Sequence, residues 1–220
     1  VNPIFHRHPG LHGLSWNPVV KQPQRAIYEE IAVKEGFPGF KIHEQSGDDQ
    51  LVEAGDREEY VVVFFIEPYE PNKKALGYDL ASDPVRARAL AQARDTGTIQ
   101  TTPPITLIQE TGQQLGYLFF APVYHSEHSP STIEERRNTI HSYVSGVFRA
   151  GAMFEETLNT FATRGVSYRV VDVTVPENTN YLYQKGNAPN RSVALNETEV
   201  PADSEFRWET QLPIAGRQWA

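Results

Sequence analysis

Tyr60-Val61-Val62-Val63-Phe64-Phe65-Ile66 runs straight into Glu67-Pro68-Tyr69-Glu70-Pro71-Asn72-Lys73-Lys74-Ala75-Leu76-Gly77-Tyr78-Asp79-Leu80, and Ser82-Asp83-Pro84-Val85-Arg86 follows. A continuous apolar run rich in β-branched residues predicts a central strand covered on both faces. Pro68 and Pro71 turn the next stretch into a loop, and Ser-Asp before Pro84 is a helix start. Apolar strand, proline-rich loop and helix start form the wall, lip and lid of a small-molecule pocket, with Asp79 as the carboxylate between them. That arrangement points to sensing rather than catalysis.

The neighbouring segments extend the pattern in both directions. Residues 83–94 are alanine-rich, begin with proline in the first turn and end near Gly97, which predicts a helix. A second helix is expected over residues 24–34, closed by Gly36 and Gly39, and a half-buried strand over 40–45. Residues 105–109 and 115–121 read as strands. Thr132-Ile133-Glu134-Glu135 is a capping box. After it, Ile140, Val144, Val147, Gly151, Phe154, Leu158 and Phe161 fall at the four-and-three spacing of a buried helical seam. Strands are expected again over 168–175, 180–183, 206–212 and the last residues.

The resulting division is a leading segment over residues 1–22, irregular and packed near the proximal lobe; a distal lobe over 23–131; a helical connector over 132–162; and a proximal lobe over 163–220. The predicted class is α+β.

Composition narrows the function classes. The chain has 220 residues, 39 % of them apolar, enough for a proper core. Its formal charge of −8, with lysine and arginine scattered, argues against nucleic acid as a partner. The absence of cysteine removes disulfides, thiolate metal sites and cysteine nucleophiles together. No apolar run reaches the length of a spanning helix.

Asp79 is the leading site residue. A carboxylate between a strand and a helix can receive donors from a planar nitrogen heterocycle through charge-assisted hydrogen bonds; the alternative is that it caps the turn that follows. As a ligand contact, its replacement by alanine would weaken binding while leaving thermal stability nearly unchanged. Phe64, Leu107, Leu118 and Phe120 alternate on predicted strands as pocket lining or as plain core, and Tyr78 and Thr102 offer hydroxyls near the mouth. Tyr60 and Gln109 stand between pocket contact and structural hydrogen bonding.

His6, His8 and His12, and His125 and His128 with Glu127, sit on predicted loops without metal-ligand spacing, so no metal and no cofactor is expected. Asn190 and Asn196 head formal glycosylation sequons. Glu67, Glu70 and Asp79 could be drawn as an acid/base set. No nucleophile elbow, phosphate loop or metalloprotease helix supports an enzyme.

The order of these motifs resembles the CHASE family, the extracytoplasmic sensor domain of receptor histidine kinases and diguanylate cyclases. The resemblance rests on Trp16-Asn17-Pro18 with Val20, Arg25 and Glu29; on Glu59-Tyr60 and Ile66-Glu67-Pro68; and on Asn72 and Ala75-Leu76-Gly77-Tyr78-Asp79. It continues through Arg86 with Ala93-Arg94-Asp95-Thr96-Gly97, Leu107-Ile108-Gln109-Glu110, Phe120-Ala121-Pro122-Val123-Tyr124, and Glu135-Arg136-Arg137 with Gly146-Val147-Phe148.

The resemblance implies two tandem PAS-like lobes, the distal one binding a small ligand and the proximal one passing the signal toward the membrane, with the N-terminal stalk helix largely absent from this chain. In the plant cytokinin receptors an aspartate of the distal pocket hydrogen-bonds the adenine ring. Counting back from Ala93-Arg94-Asp95-Thr96-Gly97, the equivalent position is Asp79. Gly77-Tyr78-Asp79-Leu80-Ala81-Ser82 and Gln109 look like bacterial members.

It further implies a periplasmic domain of an inner-membrane histidine kinase or diguanylate cyclase, a homodimer in the intact receptor, contact with the membrane only through flanking segments, and cytokinin or another adenine derivative as the leading ligand. A dimerisation or docking module without a ligand is the alternative, and a hydrolase a remote one.

Overall fold

The computed structural model describes residues 3–47, 50–108, 115–125, 129–159, 168–175, 180–185 and 208–220. In chain order its elements are α1 (Pro3–Arg7), β1 (Leu11–Lys21), α2 (Arg25–Lys34), β2 (His43–Gln45), β3 (Leu51–Glu53), β4 (Glu59–Val61), β5 (Phe65–Glu67) and α3 (Tyr69–Asn72). There follow α4 (Pro84–Thr96), β6 (Gln100–Thr101), β7 (Ile105–Thr106), β8 (Leu115–Tyr124), α5 (Ile133–Thr139), β9 (Ile140–Arg149) and α6 (Ala150–Asn159). The last elements are β10 (Tyr168–Asp172), β11 (Asn180–Lys185), β12 (Leu212–Ile214) and β13 (Arg217–Trp219).

A curled antiparallel sheet of seven strands runs β4-β1-β9-β8-β6, with β5 also on β1 and β7 on β8. A four-stranded sheet runs β11-β10-β13-β12, and β2 and β3 pair separately. The class is mixed α and β, as expected.

The apolar run is enclosed on both faces over residues 60–64 and again at Ile66, while Phe65 stays exposed. Val61, Val63 and Ile66 enter the core under α4 with Leu80, Leu90, Leu118 and Phe120. Tyr60, Val62 and Phe64 enter the core under α2 with Val20, Ala32, Phe40 and Ile42. The alternating residues of one strand thus serve two cores.

Its edges are covered too. The Val62 and Phe64 amides donate to the Pro18 and Trp16 carbonyls of β1, while Val63 N donates to Tyr78 O and Gly77 N to Val63 O. Pro18 has no N–H to return, and the ladder divides here into β4 and β5. Val61 lies opposite Val19 but Phe65 opposite Trp16, so four steps on this strand match three on β1, a bulge. Gly77 sits at φ 86°, and a Cβ there would stand 2.7 Å from Lys41 O, so only glycine passes through this gap.

The helices that sequence signals mark most clearly form where expected. Asp83 caps α4 by accepting from the Val85 and Arg86 amides at 3.0 and 2.8 Å, Pro84 opens it, and Gly97 closes it in the left-handed conformation. Thr132 and Glu135 form the reciprocal cap of α5.

The long connector helix is not present. After α5 the chain enters β9, which pairs with β1 on one side and β8 on the other, and helix resumes only in α6. The apolar residues at 140, 144 and 147 have helical spacing, but Ser142 and Ser145, buried within the strand, hid its alternation. The leading segment is likewise not irregular. Asn17 and Pro18, which read as loop residues, lie in β1 at the centre of the sheet; the Asn17 amide donates to Tyr143 O and Ser145 Oγ, both at 3.0 Å. β1 and β9 therefore share one sheet with the strands of residues 23–131.

On the far side of β8, Tyr117 packs with Ala150, Phe154 and Trp219 in a third core. The chain ends as the β12–β13 hairpin, turning at Ala215 and Gly216, where a single terminal strand was expected. Residues 208–211 lie outside any strand, and 206–207 fall outside the described residues.

Asp95 ties α4 to α5 through Arg137 Nε at 3.0 Å and also accepts from its neighbour Arg94 Nε at 2.8 Å. The Arg137 hydrogen bonds hold its carboxyl well below the usual carboxylate range; burial opposes this and Arg94 adds to it. A depressed folded pKa stabilises above the unfolded value of about 3.9 and ceases to do so as pH falls toward the folded value. Arg137→Gln should therefore lower the melting temperature at pH 7, and the gap from the parent should close below about pH 4, as read by thermal melts across pH.

Candidate functional site

Between the sheet and α4 lies a cavity of about 30 Å³. Strand alternation builds its floor: Ser15 from β1, Leu118 from β8, Ser145 from β9. The segment carrying Tyr78 and the first turn of α4, carrying Arg86, complete the wall. The lining is mainly apolar, with one guanidinium, one phenol and two hydroxyls. Arg86 Nη1 donates to Tyr78 Oη at 3.1 Å and Nη2 to Thr106 O at 3.2 Å. Ser15 and Ser145 hydroxyls meet at 2.6 Å. A wider, open hollow of about 390 Å³ lies on the α2 side, between Phe37, Lys41, His43 and Tyr69.

Of the residues singled out from sequence, the structure brings Tyr78, Leu107 and Leu118 together around the cavity. Leu107 rests against Gly116, where a Cβ would stand 2.7 Å from its side chain. Phe120 and Thr102 are buried nearby but outside the lining: Phe120 packs in the α4 core, and Thr102 Oγ1 accepts from Leu118 N at 3.2 Å. Phe64 points to the opposite core, with its ring edge-on to Trp16 and Tyr28. Tyr60 shares that face, its hydroxyl bonded to Gln22, Gly55 O, Arg25 and Arg57 N. Gln109, Glu127, His128, Asn190 and Asn196 lie outside the described residues.

Asp79 is fully buried and does not line the cavity. Its Oδ1 accepts from Val61 N at 2.9 Å and Ala81 N at 3.0 Å, and Oδ2 from Arg57 Nη1 at 2.6 Å. Arg57 in turn bonds Glu44. Burial pushes the Asp79 carboxyl up, against the pull of the two amides and the guanidinium. The carboxylate both caps the turn after it and pins β4 to that turn, the role weighed as the alternative to ligand contact.

Glu67 and Glu70 are exposed, so they do not join Asp79 in an acid/base set. Among the described residues no group of three or more histidine, aspartate or glutamate side chains could hold a metal.

Sequence reasoning missed Ser15, Ser145 and Arg86 as lining. The serines could not be found without the β1–β9 register. Arg86 was legible as a first-turn residue three places after the Asp83 cap, but its inward direction follows from the packing of α4.

A curled antiparallel sheet with helices on its faces and a cavity under one of them makes a mixed α/β domain. The chain belongs to the CHASE domain family, whose model matches residues 1–183. CHASE domains are extracellular sensor domains of histidine kinases and are not themselves catalytic. The chain is also similar to "Hybrid signal transduction histidine kinase A" of Dictyostelium discoideum, 25 % identical over 227 residues, which is 96 % of this chain and 10 % of that protein. It thus spans about a tenth of that relative's length. No helix among the described residues is long and apolar enough to cross a membrane.

Asp79→Ala leaves Arg57 its Glu44 partner but takes the acceptor from the Val61 and Ala81 amides; a buried donor left unsatisfied costs about 1–3 kcal/mol, so the substitution should cost about 2–4 kcal/mol. Urea denaturation reads this directly, and an unchanged midpoint would remove the structural role and return Asp79 to the ligand site.

Proposed function

We propose that this chain is the ligand-sensing domain of a membrane-bound signalling receptor, and that its ligand enters the cavity beneath α4. The observation that carries this reading is a buried cavity in a sensor-family domain whose apolar walls hold a few convergent polar groups, the composition of a small-molecule site. The seven-stranded sheet corresponds to a PAS-like distal lobe and the four-stranded sheet to a proximal one. In the intact receptor, a histidine kinase or diguanylate cyclase, the domain dimerises and faces the periplasm.

A route for the signal passes through β8. Leu118 lines the cavity on one face of this strand, while on the other Tyr117 packs at a tilt against Trp219 of the terminal hairpin, centroids 5.3 Å apart. That hairpin also accepts Thr101 N at Ala215 O, 2.9 Å. A ligand that parts α4 from the sheet displaces β8 against the hairpin. The response is bounded by the ligand's differential affinity for the two arrangements.

The volume bears on ligand size. A space of about 30 Å³ admits only water-sized occupants, so an adenine derivative requires the walls to separate. Binding one through Asp79 requires that carboxylate to exchange two backbone amides and Arg57 for ligand donors. The same small volume favours a second reading, a dimerisation or docking module whose cavity stays filled by its own side chains.

A thermal-shift screen of the domain against adenine derivatives including cytokinins, other purines, amino acids and small carboxylates separates the two. A ligand at a hundredfold its Kd adds about 2.7 kcal/mol, which raises the melting temperature of a chain this size by about 5–10 °C. Stabilisation by one class supports the sensor site; none from any class supports the docking module.

A further inference from the structure

Arg86 is the most deeply buried arginine among the described residues, 4 % exposed, and it lacks the hydrogen-bonded carboxylate that Arg25, Arg57, Arg94 and Arg217 have. Arg25 donates to the Glu29 carboxylate at 3.1 Å, Arg57 to Asp79 at 2.6 Å, Arg94 to Asp95 at 2.8 Å, and Arg217 bonds Asp172. Among the described residues, no carboxylate lies within hydrogen-bond distance of Arg86. The nearest, Asp83 Oδ2, stands at 3.6 Å, and Asp83 Oδ1 is occupied capping the helix. Two of its nitrogens reach only a phenol and a carbonyl, both uncharged, and its Nε is buried without a partner.

A buried cation lacking a hydrogen-bonded counter-ion is expensive to keep, and a buried N–H without an acceptor adds to that cost. Both deficits are met by one oxyanion at the cavity wall. The Tyr78 hydroxyl accepts from Arg86 and so keeps its own proton to donate in the same space.

We propose that Arg86 is an anion subsite and that the ligand is a small organic acid whose carboxylate pairs with its guanidinium. The proposal rests on the reading of this cavity as the sensor's ligand site and specifies its chemistry. One lining cation matches one negative charge, which favours a monocarboxylate over a phosphate dianion. The planar guanidinium fork suits a carboxylate in two-point contact. The apolar lining from Val63, Ile66, Leu80 and Leu107 suits an aliphatic or aromatic remainder, which enters only when the walls separate, as for any ligand larger than water.

The test follows the arginine Nε–H signals of the ¹⁵N-labelled domain at constant ionic strength. Propionate and benzoate are titrated against propionamide and benzamide, with sodium chloride as control. The Arg86 signal is identified by its loss in Arg86→Lys. The expected result is a saturable shift of that signal with a carboxylate, an affinity for the matched amide about 10- to 100-fold weaker, and a similar loss for Arg86→Lys, which keeps the charge but not the fork. Should the lysine variant fail to fold, the acid–amide contrast on the parent protein decides alone.

Equal binding of acid and amide overturns the anion subsite, as does the same unsaturable drift with chloride. Saturable movement of cavity resonances by a purine or another neutral compound, with Arg86 Nε–H unmoved, overturns the subsite and leaves the sensor reading standing. If no acid, amide, purine or amino acid moves the cavity resonances, the ligand site itself falls and the subsite with it.

Discussion

Residues 61–64 are bonded along both edges and packed on both faces, and the rest of the domain is arranged to make that possible. One edge requires a long neighbour, which β1 supplies; the other requires a segment that can lie flat against it, which Gly77 permits. One face requires α2 and the other α4. A buried backbone group left unpaired costs about 1–3 kcal/mol, so the strand cannot sit at an open edge. The cavity exists because the face under α4 is only incompletely filled by the helix.

The two buried charges nearest that strand are treated in opposite ways. Asp79 is saturated, with two amides and a guanidinium on two oxygens. It holds the turn that precedes α4 against β4. Arg86, one turn into that helix, is under-satisfied and borders the cavity. Full satisfaction makes a group structural, since any exchange of partners loses bonds already formed. Partial satisfaction leaves room for a ligand to supply what is missing, which is why interest moves from the carboxylate to the guanidinium seven residues on.

Local signals read correctly where the physics was local. The cap-and-proline start of α4, its glycine stop and the capping box of α5 are completed within a few residues, and their hydrogen bonds form as the spacing implies. The reading of residues 140–149 failed for a non-local reason. Ser145 is buried because Ser15 and Asn17 satisfy its hydroxyl from 130 and 128 residues away, and without that knowledge a polar residue at a core position looks like the solvent side of a helix. Phe64 was set beside Leu118 and Phe120 by the same limit: each alternates on its own strand, but which face turns to which core depends on the pairing of the strands.

By itself the sequence determined the family, the apolar strand that must be enclosed, the caps that start α4 and α5, and the absence of cysteine and metal-ligand patterns. Those are matters of residue type and short spacing. The tertiary structure alone decided that β1 and β9 are neighbours, that Asp79 accepts from two backbone amides and Arg57, and that Arg86 with two serines borders a cavity beside Tyr78, Leu107 and Leu118. Burial and partnership are properties of residues brought together from far apart in the chain, and no short-range spacing encodes them.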